Sequence, residues 1–203
     1  MISIIDYKAG NLASVKRALN YLGISCRITN KPEDIFCSER VIFPGVGAAG
    51  KAMEEIRARN LDKVIRDIIS QKIPFLGICL GAQIILDKSD EDNSTCLGVI
   101  HGRARRFAVP GIKTPHMGWN TITIKLGHPV FKGIDPRAQF YFVHSYFPEP
   151  KQPEDIIATT DYGLTFASII GHDNVVAAQF HPEKSGRFGL QILKNFCEWD
   201  GNF

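Results

Sequence analysis

The sequence predicts a single α/β domain, with a mostly parallel central sheet flanked by helices and antiparallel additions. Three observations predict it. In the first half, short apolar runs alternate with amphipathic helical stretches, the pattern of a parallel sheet covered on both faces. In the second half, short strand-like segments follow one another with turn residues between them, the pattern of antiparallel strands. The length, 203 residues, suits one domain that buries roughly 70% of its unfolded surface.

Taken in order, Ile2–Ile5 is a short apolar run that reads as a buried strand. From Asn11 to Leu22, Leu12, Val15, Leu19 and Leu22 follow helical spacing and Gly23 stops the helix. Ile24–Ile28 is a second strand and Val41–Phe43 a third, running into Pro44-Gly45-Val46-Gly47. Ala48–Gln71 reads as one helix, with Met53, Ile56, Leu61, Val64, Ile65, Ile68 and Ile69 on its apolar side. Phe75–Ile78 is a fourth strand, followed by a helix over Leu80–Leu86. The later strands are expected at Val99–Ile100, Arg106–Val109, Asn120–Ile124, Gln139–Val143, Ile156–Thr160, Leu164–Ile170 and Val175–Phe180. A last helix over Gly186–Trp199 places Phe188, Ile192, Phe196 and Trp199 at helical spacing. No repeat or linker divides the chain, so residues 1–203 are expected to form one domain.

Composition excludes several classes. A net charge of +3 is too mild to imply a nucleic-acid or anionic-membrane partner. The basic cluster Arg103, Arg105 and Arg106 has only Phe107 as an adjacent aromatic and reads as a solvated hairpin face. No apolar run approaches the ~20 residues of a membrane helix, and the N-terminus lacks the basic region of a signal peptide. Five cysteines without a CxxC pair make a disulfide framework or zinc site an unsuitable reading. The expectation is a cytoplasmic protein with free thiols.

Chemistry concentrates in three segments. Gly77-Ile78-Cys79-Leu80-Gly81 places a cysteine between glycines, after a strand and before a helix. With serine, this arrangement is a nucleophile elbow. The N-terminus of the following helix offers N–H groups to an anionic sulfur or oxyanion. A buried structural cysteine is the other reading of these residues alone. Gln179-Phe180-His181-Pro182-Glu183 ends an apolar strand with a histidine and a carboxylate one residue apart. The carboxylate can orient the imidazole, and the imidazole can move a proton between thiol and leaving amine; alone, the segment also reads as a turn with Glu183 capping the last helix. Pro44–Gly47 can present backbone N–H groups to an anion or can be a plain loop, and it lacks the Gly-Lys-Ser/Thr of a P-loop. Gln83 lies one helical turn beyond Cys79, on its side of the helix; alone, it also reads as an ordinary surface glutamine.

Together and in this order, the three segments resemble the class I (triad) glutamine amidotransferases. The resemblance implies a flavodoxin-like fold, Cys79 as nucleophile, His181 as acid/base and Glu183 as the orienting acid. It implies oxyanion-hole N–H groups at Gly47 and Leu80, and substrate contact by Gln83. Asp6–Leu12, Thr114–Asn120, Tyr141–Tyr146 and Ala158–Gly163 extend the likeness over nearly the whole chain. They are most similar to the glutaminase subunits of imidazole glycerol phosphate synthase. That branch implies Glu91 on the glutamine amino group and Ser145 and Tyr146 in the same pocket. It also implies Asn11 and Lys184 on a face that meets a cyclase subunit in a heterodimer. No cofactor and no metal are implied. Lys8, Ala82 and Ala178 depart from the usual residues, and none removes a catalytic group. Two alternatives stay open: a paralogous amidotransferase feeding a sugar-biosynthesis synthase, and a non-catalytic regulatory module.

Overall fold

The computed structural model describes residues 1–8 and 11–202; Ala9 and Gly10 of the Asp6–Leu12 segment lie outside the described residues. The chain runs β1 (Ile2–Ile5), α1 (Leu12–Tyr21), β2 (Cys26–Thr29), α2 (Pro32–Phe36), β3 (Arg40–Gly45), α3 (Ala49–Ala58), α4 (Leu61–Ser70), β4 (Phe75–Cys79) and α5 (Leu80–Ile84). It continues through β5 (Lys88–Ser89), β6 (Ser94–Thr95), β7 (Gly102–Arg106), β8 (His116–Thr121), β9 (Thr123–Ile124), β10 (Gln139–His144) and β11 (Tyr146–Pro150). The last elements are β12 (Ile156–Asp161), β13 (Thr165–His172), β14 (Val175–Ala178) and α6 (Gly186–Glu198).

An eight-stranded sheet in the order β2-β1-β3-β4-β14-β13-β12-β9 forms the centre. Its first five strands are parallel and the remaining pairings antiparallel. Alternate residues feed two cores. Ile4, Ile42, Leu76 and Val176 pack with Val15 and Leu19 of α1 and Ile192 and Phe196 of α6. Ile5, Val41, Phe43 and Phe75 pack with Met53, Ile56, Val64 and Ile68 of α3 and α4. β4 is buried at every position, which explains why it reads as an unbroken apolar run rather than an alternation.

The expected α/β architecture is present, with four corrections. Ala48–Gln71 is two helices, because Asn60 adopts a left-handed conformation (φ 57°) between them, one that Asn tolerates better than most residues. Val99–Ile100 forms no strand; Ile100 is buried as part of a bend. The strands expected at Arg106–Val109 and Asn120–Ile124 lie earlier, at β7 and β8, with β9 a separate short strand. The antiparallel additions do not all join the central sheet: β11-β7-β5-β6 form a second sheet and β10-β8 a ribbon. Arg103 and Arg105 lie on β7, where both bind Glu149 of β11, at 2.8 and 2.9 Å.

Register brings the three sequence segments together. Gly45 pairs with Cys79, Pro44 with Ile78, and Ala178 with Ile78 on its other side. The carboxyl ends of β3, β4 and β14 therefore lie side by side, where open α/β sheets place their ligands.

Candidate active site

Cys79 ends β4 at φ 54°, ψ −102°, a backbone conformation that a non-glycine residue holds only when its surroundings enforce it. The flanking glycines allow the sharp turn. A Cβ on Gly81 would stand 2.4 Å from the Phe43 carbonyl oxygen, and one on Gly77 2.9 Å from the Gly81 carbonyl group. Strand and helix thus meet backbone to backbone, and the thiol is directed into a cavity of about 400 Å³. Cys79 is 7% exposed.

His181 follows β14, and its backbone N–H donates to the Tyr141 carbonyl at 3.0 Å. Its Nδ1 lies 2.8 Å from Glu183 Oε1, and both side chains are almost wholly buried. Burial opposes a charged imidazole, but interaction with the Cys79 sulfur and the Glu183 carboxylate outweighs it and raises His181 to about 9. Its Nε2 is buried without a hydrogen bond of ordinary geometry among the described residues. Catalytic bonds of this kind commonly close only when substrate is bound.

The cavity also takes in Val46, Gly47, Leu80 and Gln83. Gly47 turns at φ +95°, and Val46 and Gly47 of the Pro44–Gly47 loop line the same cavity as Cys79. Glu91, Ser145, Tyr146 and Lys184 line the same cavity. Burial, and after it the Glu91 carboxylate, holds the Tyr146 hydroxyl above its ordinary value. Glu91 also has an architectural role: its Oε2 accepts the Ala49 N–H at 2.7 Å, capping α3 immediately after the glycine loop.

Several features escaped the sequence. Asn11, expected on a partner face, donates its amide to Glu183 Oε1 at 3.2 Å. Gln83 is buried, and its Nε2 lies 3.1 Å from both the Tyr146 carbonyl and Gln179 Oε1. His144 lines the cavity and contacts buried His116 at 2.9 Å. His116, His144 and Gln179 stand within quoted motifs, but only cross-strand register shows what they touch. Among the described residues, no group of three or more His, Cys, Asp or Glu could hold a metal ion.

The family model for glutamine amidotransferase class-I matches residues 3–199. The chain is 51% identical over 207 residues to imidazole glycerol phosphate synthase subunit HisH of Maridesulfovibrio salexigens, covering 98% of this chain and 97% of that one. The chain belongs to the HisH family of class-I glutamine amidotransferases. The HisH subunit of Dehalococcoides mccartyi is 45% identical over 197 residues, with 97% and 96% of the two chains covered. Among solved structures, PurLQS from Thermotoga maritima superposes with a TM-score of 0.76 at 15% identity, covering 97% of each chain. A glutamine amidotransferase crystal structure superposes with a TM-score of 0.73 at 19% identity, again over 97% of each chain. These two likenesses support the amidotransferase fold, and the HisH relatives carry the closer assignment.

Proposed function

We propose that this HisH-family chain is the glutaminase subunit of imidazole glycerol phosphate synthase, acting in histidine biosynthesis as one cytoplasmic domain over residues 1–203. The observation that carries the reading is Cys79 on a strained elbow in one cavity with the buried His181–Glu183 pair.

The Cys79 thiolate attacks the side-chain amide carbon of glutamine. The developing oxyanion faces the N–H groups of Leu80 and Gly47. Imidazolium at His181 gives its proton to the departing nitrogen, so ammonia leaves and a γ-glutamyl thioester remains. Thioester formation removes the anionic sulfur that helps raise His181. The ring is then free to accept a proton from water, which attacks the thioester and releases glutamate and the thiol. Glu183 orients the ring throughout. Gln83, Glu91, Ser145 and Tyr146 surround the substrate, with the Glu91 carboxylate suited to its ammonium group.

The ammonia passes to a cyclase subunit in a heterodimer, which forms imidazole glycerol phosphate and the carboxamide ribotide by-product. Exposed Met117 and Trp119 on β8 support a partner surface, and Met117 pairs with cavity-lining Val143. Lys184 and Asn11 are assigned to the same face. The test is glutamine hydrolysis by the chain alone, with the cyclase, and with the cyclase and its ribonucleotide ligand. Slow turnover alone and strong stimulation by the ligand-loaded cyclase are expected. Fast turnover by the isolated chain would remove the gating claim. A complex that hydrolyses no glutamine would remove the function, and hydrolysis without imidazole glycerol phosphate formation would favour the sugar-pathway paralogue.

A further inference from the structure

Gln179 is completely buried at the end of β14, and its backbone N–H donates to the Ser168 carbonyl at 2.8 Å. Its side-chain Nε2 stands 3.6 Å from the Cys79 sulfur. The two ends of a glutamine amide are distinguished by their partners, and here those partners leave one choice. The Tyr146 carbonyl can only accept. It receives His144 Nδ1 at 2.7 Å and Gln83 Nε2 at 3.1 Å. The amino end of Gln83 therefore faces this point, and its second hydrogen goes to Gln179 Oε1 at 3.1 Å. Gln179 is left with its amino end, a donor, toward sulfur.

The histidine branch has the same polarity. Burial keeps both rings neutral, His144 at about 3 and His116 at about 4. With its proton on Nδ1, His144 accepts at Nε2 from His116 Nδ1, 2.9 Å away. His116 Nε2 is in turn an acceptor toward Asn120 Nδ2 at 3.4 Å. Cross-strand pairing holds the two rings together, with His144 opposite His116 on β10 and β8. Both branches end on one carbonyl, so fixed donors and acceptors determine what the nucleophile meets.

We infer that Gln179 is a further catalytic residue: its amide N–H holds the anionic Cys79 sulfur on the line of attack, with its polarity set through Gln83 and the Tyr146 carbonyl. The inference rests on the glutaminase reading above. A hydrogen bond to an ionised acceptor is about twice as strong as a neutral one, and small misplacements of a reacting atom lower rates by about a hundredfold.

The test uses the heterodimer with its ribonucleotide ligand and compares wild type, Gln179→Leu and Gln179→Glu. The glutamate variant preserves size and an acceptor for Gln83 but presents no amide donor to sulfur. Glutamine kcat is expected to fall about 10- to 100-fold in both variants. KM should stay within about threefold and ammonia-driven synthesis should be retained, with Gln179→Glu at least as impaired as Gln179→Leu. Near-wild-type kcat in Gln179→Glu would reduce Gln179 to a structural support for Gln83 and overturn the inference. If Gln179→Glu does not assemble, Gln179→Leu decides: a kcat within threefold of wild type, or a loss confined to KM, overturns it. An inactive wild-type complex would instead count against the glutaminase reading itself.

Discussion

At Cys79 the backbone, not only the sulfur, is specialised. A residue at φ 54°, ψ −102° is held there by the close approach of Gly77 and Gly81 to neighbouring backbone. His181 supplies a pH prediction. Its folded value, about 9, lies above the ordinary 6.5. Its contribution to stability is therefore fully present below about 6.5 and is lost as pH rises through about 9. The imidazolium that protonates the leaving nitrogen disappears over the same upper range. The kcat/KM for glutamine should consequently fall above about pH 9; a profile still rising at pH 10 would refute the coupling to Cys79 and Glu183. Cys79, His181 and Glu183 were legible because each motif is nearly contiguous and each residue type has a chemical reason to be there. Gln179, the His116–His144 pair and the Asn11–Glu183 bond were not legible, because strand register and helix packing create those contacts between distant segments.

Strand ends and helix starts build the site. Gly81→Ala would drive a methyl group against the Phe43 carbonyl oxygen, 2.4 Å away, where backbone has little room to yield. A loss of at least about 2 kcal/mol in chemical denaturation is expected, in the range of other overpacking substitutions; an unchanged midpoint would show that the strand–helix contact is looser than described. Glu91→Ala removes the acceptor from the Ala49 N–H. About 1 kcal/mol of stability should go with a lost cap, accompanied by a raised KM for glutamine. Equal stability of variant and wild type would dismiss the capping role. Element type was readable where burial on both faces left an unbroken apolar run, as in β1 and β4, or where burial of one face imposed a helical period, as in α1 and α6. It was misread in Ala48–Gln71, where the apolar pattern continues across the joint while Asn60 turns the chain. Val99–Ile100 failed for the converse reason: Ile100 is buried without joining a ladder.

Across the whole molecule, three histidines are buried as neutral rings. Desolvation lowers His116 and His128 to about 4 and, as the main cause, His144 to about 3. Unfolding lets each take up a proton at mildly acidic pH, so the unfolded state binds more protons as pH falls below about 6.5. Stability should decline from there toward pH 4, read as a falling Tm; a constant Tm between pH 7 and pH 4.5 would contradict it. The family was readable from the order of three motifs, whereas the arrangement of the second sheet and ribbon around the cavity was not, since it depends on long-range pairing. Those additions carry the exposed Met117 and Trp119 on β8. The central claim, that Cys79 makes ammonia for a partner's synthesis, is tested most directly by Cys79→Ala in the assembled heterodimer, given either glutamine or an ammonium salt. Imidazole glycerol phosphate should form at the wild-type rate from ammonium and not from glutamine; continued synthesis from glutamine would contradict the account.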